Sequence, residues 1–221
     1  MVTEKEKKIL DSLLENKRFH RKNMSEENWD LVLGEAFIKS FEEEHDVEFK
    51  TGVTKLVIVP NNEDFVLKIP FDGTAYRGKF YLFCGAADLE EGKDYCRAEE
   101  LHYKEAKAWD LDFLFAETVQ ISEINGVPIY RQPKCELFEV ELLSQRPTEE
   151  TQTTVEKACT TYDYRCFNED WLAEVVMRYG VEVLHNLLSF LNYEDIIDLH
   201  DNNIGFLNGK PVLFDYASFD D

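Results

Sequence analysis

The chain has 221 residues, of which 44% are hydrophobic and 13% aromatic, with a formal net charge of −21. This length and apolar content support a buried core and exclude a disordered chain. No apolar run approaches the roughly 18 residues needed to span a bilayer, which excludes a membrane-spanning helix. The negative charge opposes direct binding of nucleic acid, which needs a basic face. It also means that a polyphosphate ligand needs a metal and at least one well-placed lysine.

Residues 3–19 place Ile9, Leu10, Leu13 and Leu14 at helical spacing. Ser25 is an N-cap followed by acidic Glu26 and Glu27, and Trp29, Leu33, Phe37 and Phe41 then form an apolar stripe read as packing. Residues 1–47 are thus expected to form a helical N-terminal extension. From about Val47 the period changes, and residues 55–59 and 65–69 predict two strands around the turn Pro60-Asn61-Asn62. A polar and aromatic insert, 72–94, precedes a helix over 97–109. Residues 115–124 and 127–132 predict two strands around Asn125-Gly126, a strong hairpin signal. Residues 145–168 are polar and weakly patterned, which predicts a loop or irregular segment. Helical pattern resumes at Glu169, breaks at Gly180, and continues over 181–191 in a helix apolar almost all round, hence buried.

The five cysteines (Cys84, Cys96, Cys135, Cys159, Cys166) are odd in number and lack C-x-x-C spacing, so free thiols are expected. The N-terminus has no apolar stretch of signal-peptide type, and the expected location is the cytoplasm.

A second Asn-Gly, at 208–209, joins residues 204–207 to 212–214. With a two-residue turn, Leu207 faces Lys210 and the pairing runs back until Asn203 faces Phe214. Asn203 and Asp215 then meet at the open end of the hairpin. Two oxygen-bearing side chains at one point suit a hard cation such as Mg²⁺, with phosphate oxygens and water completing its shell. Just upstream lies the polar run Asp198-Leu199-His200-Asp201-Asn202-Asn203. Taken singly, these residues are ordinary in turns and caps, and Asp201 is read as a cap. Farther upstream, strand periodicity sets Val66 and Lys68 on one face and Phe65, Leu67 and Ile69 on the other.

Together these motifs resemble the protein-kinase-like family. Asp198 and Asn203 match the D-x-x-x-x-N of the catalytic loop, Asp215 follows an apolar strand as the metal-binding Asp of D-F-G does, and Phe65-Val66-Leu67-Lys68 is similar to V-A-I-K. Asp198-Leu199-His200 looks like the D-L-H of aminoglycoside- and choline-kinase-like phosphotransferases. The resemblance covers about residues 48–221 and implies an α+β, bilobal fold. It comprises a 48–134 N-lobe of antiparallel sheet plus helix and a reduced, mainly helical 135–221 C-lobe. It further implies ATP and Mg²⁺ as cofactors. Lys68, oriented by Glu99 (Glu100 being the alternative), clamps the α- and β-phosphates. Val66 covers adenine and the backbone near Gln132 to Lys134 hydrogen-bonds it. Asn203 and Asp215 hold the metal, and Asp198 orients or deprotonates an acceptor hydroxyl. His200 either contacts the γ-phosphate or acceptor, or is structural.

The pattern departs from the family at four places. Residues 51–55 hold one glycine, Ile196-Ile197 replace H-R, Asp215-Tyr216-Ala217 replaces D-F-G, and the sequence ends six residues after Asp215. A platform for a peptide substrate is therefore not expected. Three readings follow: an ATP-dependent phosphotransferase with an unknown acceptor, a catalytically inactive nucleotide- or partner-binding module, and an acidic interaction protein.

Overall fold

The computed structural model describes residues 2–20, 33–51, 55–70, 72–76, 79–83, 94–164, 167–197 and 199–217. Its elements are α1 (Glu4–Glu15), α2 (Glu35–His45), β1 (Val47–Thr51), β2 (Lys55–Pro60), β3 (Phe65–Pro70), β4 (Asp72–Tyr76), β5 (Lys79–Phe83), α3 (Tyr95–Ala108), β6 (Val119–Ile124), β7 (Val127–Pro133), β8 (Glu136–Leu137), α4 (Glu149–Thr161), α5 (Glu169–Tyr179), α6 (Val181–Tyr193), β9 (Ile204–Leu207) and β10 (Lys210–Leu213). The class is α+β with antiparallel sheets. Among the described residues no helix is long and apolar enough to cross a membrane. The chain divides into two compact units, Met1–Arg97 with Thr118–Lys134, and Ala98–Glu117 with Cys135–Asp221.

The first unit is built on a five-stranded antiparallel sheet of order β1-β2-β3-β7-β6. Its register sets Leu56 opposite Ile69 and Ile58 opposite Leu67. These residues share one core with Phe65, Ile124, Val127 and Ile129. The Asn125-Gly126 turn joins Ile124 to Val127, with φ of 53° and 83°, the left-handed pair that a two-residue hairpin requires. β4 and β5 form a separate hairpin within the expected insert.

The stretch 1–47 is not a separate extension, because Ile9 and Leu13 of α1, Leu33, and Phe41 of α2 lie in the same core as the sheet. A single amphipathic helix has no stability of its own and needs such a face to bury its stripe. α1 is fixed by a capping box between Thr3 and Glu6, and the fully buried Glu6 pairs with Arg131 Nε at 2.9 Å. The expected cap at Ser25, with Glu26, Glu27 and Trp29, lies outside the described residues.

In the second unit, α5 and α6 bury Trp171, Leu172, Val175, Leu184, Leu187, Leu188, Phe190 and Leu191 in one core. Each of these leucines contributes about 2 kcal/mol by leaving water. Gly180, at φ 91°, separates the two helices as the sequence anticipates. The segment expected to be irregular contains α4 instead. Thr148 caps it by accepting from Thr151 N–H, and Glu149 and Glu150 occupy its first turn. Val155, Ala158 and Cys159, at i, i+3 and i+4, provide its buried stripe. The weak hydropathy signal arises because the other positions are polar, half of them threonines and the rest Glu, Gln and Lys. The hydroxyls of Thr154, Thr160 and Thr161 donate to carbonyls one turn back.

The second unit also holds a three-stranded sheet, β10-β9-β8. Gly205 of β9 is required for it, since a Cβ there would lie 2.0 Å from the Glu136 carbonyl oxygen of β8. Trp171 Nε1 donates to the Gly205 carbonyl at 3.2 Å, pinning the strand to α5. Gly205→Ala is therefore expected to lose about 3 kcal/mol, at the upper end of overpacking costs. Urea unfolding measures this, and an unchanged midpoint would remove the close approach as a constraint.

Candidate functional site

Alternation along β3 decides the first group of residues. Phe65, Leu67 and Ile69 enter the core, so Val66 and Lys68 occupy the opposite face, as the sequence predicts. Every residue of β3 is nevertheless buried, and Lys68 is only 3% exposed. On the same face, Lys68 pairs with Val57 and Tyr130, and Val66 with Gln132. Tyr130 donates its hydroxyl to Asp94 Oδ2 at 2.7 Å. Asp94 precedes α3 and its other oxygen accepts from Arg97 N–H at 2.9 Å, the geometry of an N-cap. Burial pushes the Asp94 carboxyl above its ordinary range, against the hydrogen bonds from Tyr130, Arg97 and Cys96. The start of α3 is thus tied to the strand residue that faces Lys68.

Gln132 is 2% exposed and donates Nε2 to Thr118 Oγ1 at 2.8 Å. The Lys134 N–H, one of the main-chain donors expected to meet adenine, is committed to the Asp64 carbonyl at 2.8 Å. The reason is that β7 continues pairing with β3 to its end, Pro133 facing Phe65. The expected glycine-poor loop falls on residues 52–54, outside the described residues.

The second group lies in the second unit. The β9–β10 register is the one derived from the Asn-Gly turn: Leu207 faces Lys210 and Ile204 faces Leu213. Phe214 N–H then donates to the Asn203 carbonyl at 3.0 Å and Asp215 N–H approaches the same oxygen at 3.4 Å. Asn203 and Asp215 are therefore neighbours, the first 7% exposed and the second half-buried. Asp215 is held by the residue after it. Tyr216 is fully buried, its ring lies edge-on to Phe115 at 5.1 Å, and its hydroxyl donates to the Ala116 carbonyl at 2.7 Å. His102 of α3 reaches the Tyr216 carbonyl through Nδ1 at 3.1 Å and Glu194 through Nε2 at 3.8 Å.

Two residues of the polar run before Asn203 make capping contacts. His200 Nδ1 accepts from Asn202 N–H at 3.2 Å, capping the 3₁₀ turn Asp201–Asn203. Asp201 Oδ1 accepts from Asn168 Nδ2 at 2.8 Å, and Asn168 in turn caps α5. Asp201 is thus a tether for a capping residue. Asp198, the expected acceptor-orienting residue, lies outside the described residues. Glu99 is fully buried on α3 within the second unit, whereas Glu100 pairs with Lys104 at 3.3 Å. This difference favours Glu99 as the residue withdrawn from solvent.

Sequence reasoning missed Asp94, Tyr130, His102 and the anchoring role of Tyr216. Asp94 had a readable signal, an Asp directly before a helical pattern. The other three depend on partners 36 to 114 positions away. Among the described residues, no group of three or more His, Cys, Asp or Glu side chains is placed to hold a metal. Asn203 and Asp215, backbone neighbours, carry one amide and one carboxylate, oxygen donors of the kind that a hard cation takes together with phosphate and water. Cys96, Cys135 and Cys159 are free thiols, while Cys84 and Cys166 lie outside the described residues.

The arrangement defines an α+β protein with a buried lysine on a sheet and an Asn–Asp pair at a hairpin end. No protein-family model matches the chain, and comparison with curated proteins and with solved structures gives no significant match.

Tyr216→Ala is expected to cost about 3–5 kcal/mol by emptying an aromatic site. Tyr216→Phe is expected to cost about 0.5–1.5 kcal/mol by removing the hydrogen bond to the Ala116 carbonyl. Chemical denaturation of the two variants checks both. Equal stability of all three proteins would mean that Tyr216 does not anchor Asp215.

Proposed function

We propose that the protein is an ATP- and Mg²⁺-dependent phosphotransferase of kinase-like fold, acting in the cytoplasm on a hydroxyl-bearing acceptor. The observation that supports this reading is the backbone registry at the end of the hairpin, where Phe214 N–H donates to the Asn203 carbonyl at 3.0 Å and Asp215 N–H approaches the same oxygen at 3.4 Å, so that Asn203 and Asp215 are backbone neighbours. Support comes from Lys68, which lies on the third strand of an antiparallel sheet with a helix following, the context that a V-A-I-K lysine requires.

In this reading ATP is the phosphoryl donor, and Mg²⁺, held by Asn203 and Asp215, would supply charge neutralisation at its phosphates. Lys68 provides a fixed ammonium for the phosphate oxygens, and its burial keeps it from being screened by water. Asn203 and Asp215 hold the cation. Asp198 orients the acceptor hydroxyl and takes its proton. Little covalent chemistry falls to the protein, so positioning and charge neutralisation do most of the work.

A second reading, a nucleotide-binding module without turnover, is favoured by the single glycine in residues 51–55, and one experiment separates the two. ATP with Mg²⁺ is expected to raise the melting temperature; at 100 times Kd the gain is about 2.7 kcal/mol. γ-Phosphate transfer or hydrolysis is expected to fall about 10²–10⁴-fold in Asp198→Ala, while the ATP-induced shift persists. Asp215→Ala is expected to lose the magnesium dependence of the shift. Binding without turnover selects the second reading, and no shift in the unaltered protein removes both.

A further inference from the structure

The chain contains the dipeptide Asn-Gly twice, and the fold gives the two copies different surroundings. At the first, Asn125 is half-buried and its Nδ2 donates to the Phe19 carbonyl at 2.9 Å. Phe19 is itself fully buried, so the Asn125 side chain is tied to the core of the first unit. At the second, Asn208, Gly209 and Lys210 are all exposed at the tip of the β9–β10 hairpin. A Cβ built on Gly209 would meet nothing within 4 Å beyond its chain neighbours, so the space beside this backbone is open to a side chain and to water. Strand pairing closes at Leu207 and Lys210, and the ladder therefore makes no use of the Gly209 N–H.

We infer that Asn208 is a site of spontaneous deamidation, and that the modification loosens the hairpin register on which the Asn203–Phe214 pairing depends. The inference goes beyond the phosphotransferase reading and stands without it. The Gly209 nitrogen, unhindered by any Cβ, attacks Asn208 Cγ. A new C–N bond closes a succinimide ring, the bond from Cγ to the side-chain nitrogen breaks, and ammonia leaves with the proton of the Gly209 nitrogen. Water then opens the ring, so the net change is one water gained and one ammonia lost. Ring closure turns Asn208 out of its left-handed conformation, φ 53°, which an open tip permits. At Asn125 the same motion also breaks the bond to Phe19.

Opening at the side-chain carbonyl gives aspartate, which keeps the turn, since Asp-Gly suits the same geometry. Opening at the main-chain carbonyl gives isoaspartate, whose main chain passes through Cβ and is one methylene longer. Turn type and loop length set hairpin register, so the longer turn strains the pairing that ends where Phe214 N–H meets the Asn203 carbonyl.

The test incubates the unaltered protein and Asn208→Gly in mildly alkaline buffer and follows both by peptide mapping with mass spectrometry. Gly-Gly keeps the hairpin turn and lacks the reactive amide. Asn208 is expected to convert at least tenfold faster than Asn125 in the folded protein, with isoaspartate among the products, and at a similar rate to Asn125 in denaturant. Hydrogen exchange at the Phe214 amide is expected to quicken as isoaspartate accumulates, and to stay constant through the same incubation in Asn208→Gly. Conversion of Asn208 no faster than that of Asn125 in the folded protein overturns the site. Isoaspartate at Asn208 with unchanged Phe214 exchange overturns the effect on register.

Discussion

The central strand β3 is buried on both faces, and the rest of the first unit is arranged around that constraint. One face of a strand can be filled with Phe65, Leu67 and Ile69 at no electrostatic cost. The other holds an ammonium group at Lys68, which loses water and is tolerated only among polar or charged neighbours. The structure meets this with a polar face on an otherwise aliphatic sheet. Tyr130 lies opposite Lys68, Gln132 opposite Val66, and Asp94 holds the Tyr130 hydroxyl. A protein needing only a stable sheet gains nothing from such a face, since apolar residues of similar volume fill it as well or better.

The second unit solves a different problem, the placement of a carboxylate near a chain segment without regular structure. Asp215 follows the last residues of β10, and the buried ring of the next residue anchors the chain there. Tyr216 fills the core beside Phe115 and bonds the Ala116 carbonyl, while Asn203 receives the Phe214 N–H from the other side. The strand that follows Asn203 is in turn held by Trp171 and by the close passage of Glu136 over Gly205. A tyrosine suits this position because the buried Ala116 carbonyl accepts its hydroxyl.

The acidic composition acquires a local meaning beside these groups. A surface of net charge −21 repels anions at long range. Lys68, 3% exposed on β3, is a positive group withdrawn from that surface.

The sequence by itself determined what local chemistry controls. Two Asn-Gly turns set two hairpin registers, including the one that joins Asn203 to Phe214. Period-2 alternation put Lys68 and Val66 opposite the core, and Gly180 divided α5 from α6. These follow from φ preferences and from the geometry of a strand, which involve residues close in the chain. Tertiary structure alone decided the rest. It built α4 from a threonine-rich segment whose stripe of Val155, Ala158 and Cys159 is too narrow to read without its neighbours. It drew α1 and α2 into the sheet's core and committed the Lys134 N–H to Asp64. Each of these depends on which distant surface is available to bury a side chain or satisfy a backbone group, and hydropathy along one chain does not encode that partner.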